Sequence, residues 1–286
     1  MQGKVVILGS TGFIGNALCT ELKCKDVKFL GLATKDVNLL SQEQASEVLN
    51  LIEKDDIVVF MSTIIPSKDE IGYNNNLLLL KNFTRAINKK KLNHLIYISS
   101  DAVYDDNVDR IKENSEKNKS NLYSKMHLDR EYFIKEFSSQ HELDLTILRP
   151  TAVYGPGDTH NSYGPNKFIR AINEGKNIVL FGKGEESRDH IFILDLTKII
   201  YEVINKKILG TYTVATGQTL SFNELAKLIC SIKKVPYSRI EFQKREGPLP
   251  DNINRTFDIS KLKNNIPDLE FTIINHGIKE TMNKIK

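Results

Sequence analysis

Cysteine is scarce in this chain: Cys19, Cys24 and Cys230 are the only three among 286 residues. Three thiols cannot build a disulfide framework, and their spacing matches no zinc pattern, so a reducing compartment is expected. Long apolar runs are missing too. None approaches the roughly 18 residues of a membrane span. The first strand begins almost at the first residue, which leaves no room for a signal peptide. The expectation is therefore a cytoplasmic protein that meets no membrane. Charge of one sign is absent as well. A net charge of +4 is too small to argue for a nucleic-acid partner, and the run Lys89-Lys90-Lys91 reads as a solvated helix end. No internal repeat is visible. His127, His160 and His190 lie far apart in the sequence, so no metal is expected. What is present is ordinary for a globular protein, 40% hydrophobic and 27% charged, enough for one large domain or two lobes.

The informative stretch is the first to be made. Lys4 to Leu8 (KVVIL) is an apolar, β-branched run that reads as a buried strand. Gly9-Ser10-Thr11-Gly12-Phe13-Ile14-Gly15 follows it, and an amphipathic helix starts directly behind. Gly9 permits the tight turn off the strand, Gly12 lets a pyrophosphate approach the backbone, and Gly15 lets the helix pack close to the sheet. The open N–H groups and positive dipole end of the helix then face the phosphates. In this context the pattern marks a dinucleotide site, with Thr11, Phe13 and Ile14 contributing beside the glycines.

Residues 27–32 (VKFLGL) read as the second strand. An Asp or Glu at its end would bind the ribose 2′-hydroxyl of NAD, but Ala33-Thr34-Lys35 stands there. Without that carboxylate a 2′-phosphate is not repelled, and Thr34 and Lys35 are suited to bind it. NADP is thus the expected cofactor, with NAD the alternative. A capping box at Ser41 to Gln44 starts a helix to about Glu53. Ile57 to Met61 reads as a buried strand, and the loop from Ser62 to Gly72 lies at its carboxyl end, where ligands sit in open parallel sheets. Helix 74–88, strand 95–99, a polar loop over 105–121, a helix opening at Tyr123 and strand 143–148 complete an alternation that predicts a doubly wound parallel α/β sheet.

At this point the residues resemble a known family, the extended short-chain dehydrogenases/reductases: NAD(P)-dependent epimerases, dehydratases and reductases of nucleotide-linked sugars. The resemblance spans nearly the whole chain. It rests on the glycine motif, Asn76 and Asn82 around a leucine run, Ser99-Ser100-Asp101, and Arg149-Pro150 with Val153-Tyr154-Gly155-Pro156. It continues in Arg188-Asp189-His190-Ile191-Phe192 with Asp195, and in Phe257-Asp258-Ile259-Ser260-Lys261-Leu262. Thr34-Lys35-Asp36 followed by Asn38-Leu39-Leu40 is similar to the 4-keto-sugar reductase branch, where the segment lies along the adenosine of NADP. The resemblance implies a Rossmann-type domain over 1–155, with 191–216 returning to it, and a smaller substrate-binding lobe from 156–190 and 217–286. It also implies cofactor contacts from Asn38, Leu39, Ser62, Ser99, Pro150 and Val153, and a homodimer.

The family carries Tyr-x-x-x-Lys on one helix face, with the ammonium lowering the tyrosine pKa and holding the nicotinamide ribose. This chain lacks that pair. One register, Asn121 to Lys125, keeps the lysine. The other, Tyr123 to His127, keeps the tyrosine and adds Glu131 where the family commonly has Glu; it is the one adopted here. Ser100, Tyr123 and His127 are then the catalytic residues, and Tyr123 and His127 also touch the cofactor. Protonated, His127 would lower the pKa of Tyr123, and its charge would add an ionisation near 6.5 to the rate. Asp101 is assigned to the substrate. Ala102 stands where a family dehydratase has Glu, which argues against 4,6-dehydration.

The loop and helix over 158–170 are rich in Gly, Pro, Asn and Tyr, which suits a sugar and a base. The resemblance puts Asn166 and Arg188 against the nucleotide diphosphate, where a guanidinium fork fits, with Arg255 a second candidate. Ser221-Phe222-Asn223-Glu224 is another capping box, 247–251 is a loop with two prolines, and the last twelve residues read as a helix. The function expected is reduction of a nucleotide-activated 4-keto sugar for glycoconjugate precursors. A nucleotide-sugar epimerase with tightly held NAD is the alternative, and a non-catalytic NADP-binding regulator the second.

Overall fold

The structure is a computed structural model that describes residues 3–65, 67, 69–88, 90, 92–118, 120–247 and 253–285. Lys89 and Lys91 of the basic run, both prolines of the 247–251 loop and the last residue of the C-terminal helix lie outside the described residues. In chain order the elements are β1 (Val5–Leu8), α1 (Phe13–Cys24), β2 (Phe29–Leu32), α2 (Gln42–Leu51), β3 (Ile57–Phe60), α3 (Glu70–Ile87), β4 (His94–Ile98), β5 (Arg110–Ile111), α4 (Leu122–Gln140), β6 (Leu145–Pro150) and β7 (Ala152–Tyr154). Then come α5 (Pro165–Asn173), β8 (Ile178–Phe181), β9 (Ser187–Phe192), α6 (Ile193–Lys206), β10 (Gly210–Val214), β11 (Thr219–Ser221), α7 (Phe222–Lys233), β12 (Ile240–Gln243), β13 (Thr256–Phe257), α8 (Ser260–Asn265) and α9 (Ile274–Lys284).

Alternation of apolar strand and amphipathic helix produces a sheet whose strands run β10-β6-β4-β3-β1-β2. Pairing is parallel between β1 and β2, β1 and β3, β3 and β4, and β4 and β6. β1, β3 and β4 are buried along their whole length, as strands covered by helices on both faces must be. The chain leaves β1 towards β2 on one side and returns as β3 on the other. That reversal is the switch point at which ligands bind in such sheets. Helix α3 begins at Glu70, four residues before its expected start, because Asp69 caps it by accepting from the Gly72 N–H at 2.8 Å.

The chain divides into two compact units. The first holds Met1–Asp105, Glu116–Arg149 and Thr197–Tyr212; the second holds Asp106–Ser115, Pro150–Leu196 and Thr213–Lys286. The second unit contains a sheet ordered β11-β9-β7 and the pairs β12-β8 and β13-β5. The β13-β5 pairing explains why 106–115 clusters with residues so distant in the chain. Among the described residues no helix is long and apolar enough to cross a membrane, and no group of His, Cys, Asp or Glu is placed to hold a metal.

Candidate active site

The first unit carries a cleft of about 270 Å³ at the switch point, lined by Gly9, Thr11 and Gly12 after β1, Ala33 and Thr34 after β2, and the segment 61–64 after β3, among others. Gly9 takes φ +98°, a value that favours glycine. A Cβ on Gly15 would lie 2.1 Å from the Gly9 carbonyl oxygen, so only glycine lets α1 start this close to the strand. A Cβ on Gly12 would meet protein only at 3.4 Å and would instead occupy the cleft. No side chain caps α1, so the N–H groups of its first turn stay open, with the Phe13 side chain buried beneath them. This cradle fits a dinucleotide diphosphate.

Two buried asparagines fix the walls of the cleft. Asn76 accepts from the Ile64 N–H at 2.9 Å and donates to the Ile64 and Gly72 carbonyls at 3.0 and 2.9 Å. Asn82 donates to the Leu39 carbonyl at 2.9 Å. The sequence showed both residues without giving them this role. Asn38 accepts from the Leu40 N–H at 3.1 Å, so it shapes the same turn, and Leu39 is buried against the wall it was assigned to. Lys35 is exposed beside the cleft rather than among its lining groups. A carboxylate does reach the end of β2 after all. Asp36 folds back and accepts from the Ala33 N–H at 2.9 Å.

Helix α4 carries the residues of both registers. Asn121 is its N-cap, accepting from the Ser124 N–H at 2.8 Å, and Lys125 is exposed, 5.4 Å from the centre of the Tyr73 ring. Neither is free to act as a pair. Tyr123 and His127 share the inward face, their rings 4.7 Å apart and nearly perpendicular. Tyr123 is half-buried and hydrogen-bonds with Ser100. Burial pushes its hydroxyl pKa up, with Ser100 and the Arg130 charge pulling partly the other way. Ser100 also accepts from the Ala102 N–H at 3.2 Å, capping a short turn that begins at Asp101.

His127 departs from the expectation set for it. It is 3% exposed, and neither ring nitrogen has a protein partner. Burial, with the Arg130 charge beside it, pushes its pKa down to about 3. That holds the imidazole neutral at physiological pH, whereas the sequence led to the expectation of an ionisation near 6.5. The cation on this face is Arg130, which the sequence reading passed over. Its signal was available: an arginine seven residues beyond Tyr123 falls on the same helix face.

Other assigned residues are occupied elsewhere. Ser99, expected at the cofactor, donates to Glu131 at 2.7 Å. Glu131 is buried and takes both Nε and Nη2 of Arg149 at 2.8 and 2.5 Å. These three form a structural network under the site, because buried polar groups must be satisfied internally. In the second unit, both ends of the Asn166 amide are engaged by the Gly155 backbone, at 3.0 and 2.7 Å. The requirement to hold that glycine loop, rather than a diphosphate, accounts for Asn166. Arg255 is buried and ion-paired with Asp106. Arg188 is half-buried, its Nη1 donating to the Ser187 carbonyl at 2.9 Å. Pro150 ends β6 and Val153 lies in β7, half-buried.

A parallel sheet with a glycine cradle at its switch point is the architecture of dinucleotide-binding α/β proteins. The chain belongs to the NAD dependent epimerase/dehydratase family, whose model matches residues 5–215. It is similar to the dTDP-D-glucose 4,6-dehydratase of Dictyostelium discoideum, 26% identical over 80% of this chain but only 62% of that protein. The GDP-6-deoxy-D-talose 4-dehydrogenase of Aggregatibacter actinomycetemcomitans is 25% identical over 97% of this chain and 96% of its own length. Among solved structures, the UDP-glucose 4-epimerase of Thermus thermophilus, in complex with NAD, superposes with a TM-score of 0.87 at 17% identity, over 98% of both chains. At that identity the likeness concerns the fold alone.

Proposed function

We propose that this protein reduces a nucleotide-activated 4-keto sugar, with NADPH as the reductant. The observation that carries the reading is Tyr123. Burial holds its pKa above the ordinary tyrosine value, Ser100 and the Arg130 charge offset this only in part, and a neutral histidine stands where the family has lysine. Such a residue rests as a donor, which reduction needs. An epimerase must first remove a hydroxyl proton, for which a protonated tyrosine is poorly prepared.

A dihydronicotinamide held at the Gly9, Gly12 and Gly15 cradle would supply the hydride for the sugar carbonyl carbon. Tyr123 gives its proton to the carbonyl oxygen, and Ser100 donates a hydrogen bond to the same oxygen. His127, neutral and buried against the Tyr123 ring, holds that ring in place and is assigned to the ribose side of the site. Thr34 and Lys35 take the 2′-phosphate. Asp101 and Arg188 are assigned to the substrate, with Arg188 suited to the diphosphate. The relative named a 4-dehydrogenase removes hydride at the carbon where this reading adds one, which supports the assignment to position 4. The proposal extends to a homodimer in the cytoplasm, a setting that suits the free thiols Cys19, Cys24 and Cys230.

One observation favours a second reading, an epimerase holding NAD: Asp36 brings a carboxylate to the end of β2. Incubation with NADPH and GDP-, CDP-, UDP- or dTDP-linked 4-keto sugars, and separately with the matching 4-hydroxy sugar nucleotides, separates the two. Reduction consumes one dihydronicotinamide per C4 hydroxyl formed. Interconversion of two sugar nucleotides with no net consumption overturns the reductase reading.

A further inference from the structure

A buried charge without a counter-charge is costly, so its retention calls for a reason. Arg130 is such a charge. It is fully buried, and every partner of its guanidinium is neutral. Nη2 donates to the Ser62 carbonyl at 2.8 Å, and Nη1 to Thr63 Oγ1 and Asn76 Oδ1 at 3.1 and 3.3 Å. The Phe60 and Tyr97 rings lie 5.5 and 5.4 Å away. Its Nε has no partner. The adjacent carboxylate, Glu131, is taken by Arg149. Among the described residues none is shown placing a carboxylate within ion-pair distance of Arg130; burial lowers its pKa, and Tyr97 and Tyr123 act the other way.

We propose that Arg130 is the fixed positive charge of this active site, a positioning residue that readies Tyr123 to release its proton where the family lysine is missing. The proposal rests on the reading of Tyr123 as the proton donor. A dihydronicotinamide held in the cleft would supply the hydride: its C–H bond breaks, the sugar C–H bond forms, the carbonyl π pair takes the Tyr123 proton as an O–H bond, and the ring is left as oxidised nicotinamide. The electron pair of the phenol O–H stays on Tyr123 as phenolate until solvent returns a proton. That phenolate is the anion Arg130 lacks. His127 lies between them on the helix face and is neutral, so it cannot supply the charge. Arg130 also grips Ser62 and Thr63, which line the cleft.

The test titrates Tyr123 with no dinucleotide or sugar present. Fluorotyrosine placed at position 123 of the full chain gives a single ¹⁹F signal that reports its ionisation. The groups facing it are Ser100 and Asp101 from the short turn, Tyr97 from β4, and His127 and Arg130 from its own helix. Only Arg130 is changed. Arg130→Met is expected to raise the midpoint by about one pH unit or more, a tenfold loss in ionisation constant, and Arg130→Lys to return it towards the unsubstituted protein. A purely structural role would shift both variants alike, because lysine does not reproduce the fork to Ser62, Thr63 and Asn76. An unchanged midpoint in Arg130→Met, or a shift in Arg130→Lys as large as in Arg130→Met, overturns the proposal. Should Arg130→Met fail to fold, Arg130→Gln, which keeps a hydrogen-bonding head without the charge, takes its place with the same outcomes. Failure to turn over any 4-keto sugar would sink the reductase reading and leave this titration unmoved.

Discussion

One turn beyond Tyr123 stands a histidine that cannot hold a charge at neutral pH. The cost of desolvating an imidazolium in a sealed site, beside a guanidinium, exceeds what any neighbour returns. The rate should therefore carry no ionisation near 6.5, and profiles of kcat/KM for the unsubstituted protein and His127→Gln should share one shape between pH 5.5 and 8. A limb near 6.5 that vanishes in His127→Gln would show the imidazole to be charged in the working site. Burial is what the sequence did not reveal here: the letter His127 was legible, and its environment was not. Ser99 and Asn166 failed for the same reason. Their side chains are of the types that bind ligands, but the fold uses them on Glu131 and Gly155. Lys35 remains the residue for cofactor choice. Lys35→Ala should weaken NADPH about tenfold, the value of one charge-assisted contact, and leave NADH unchanged. Fluorescence titration with both would decide, and equal effects on the two would remove Lys35 from phosphate recognition.

Among the elements, the strand–turn–helix at the N-terminus was legible almost to the residue, because glycine at three fixed places has a steric meaning that needs no tertiary context. Its glycines should nevertheless respond differently. Gly12→Ala meets open cleft, so the protein should melt within about 1 °C of the parent, yet bind dinucleotide at least tenfold more weakly. Gly15→Ala drives a methyl into the Gly9 carbonyl and should lower stability by about 1–3 kcal/mol. Thermal melts with and without dinucleotide separate the two, and identical behaviour would contradict this account of the cradle. The start of α3 was less legible. Gly72 reads as a loop residue, but a Cβ there would come within 3.2–3.3 Å of the Asp69 and Ser67 side chains. It is glycine because the first turn is crowded, not because the helix has yet to begin. On α4 the sequence left two registers open, and it did not show that Asn121 caps the helix or that Lys125 faces outward.

Across the whole molecule, three histidines are sealed in the neutral state. Burial lowers His127 to about 3, and His94 and His190 to about 4 each. Their pKa values are depressed on folding, so between 6.5 and those values the unfolded chain takes up protons that the fold refuses. Stability is complete above about pH 6.5 and falls as pH drops, by about 1.4 kcal/mol per pH unit for each histidine. Melting temperature should be level above pH 7 and decline steadily from 6.5 to 5, before most carboxylates titrate. A level curve down to pH 5 would mean that the three are not buried and neutral. The order of strands and helices that sets this burial was readable as alternation. The return of Thr197–Tyr212 to the first unit depends on contacts far apart in the sequence, and only its approximate place came from resemblance.

The measurement that bears most directly on the account compares Tyr123→Phe with Lys125→Ala, reading turnover of a 4-keto nucleotide sugar and dinucleotide affinity in the same preparations. The expected result is a loss of about 10²–10⁴ in kcat for Tyr123→Phe, with dinucleotide affinity kept, and near-normal turnover for Lys125→Ala. A crippled Lys125→Ala beside a mild Tyr123→Phe would contradict it, and would move the chemistry to the outer face of α4.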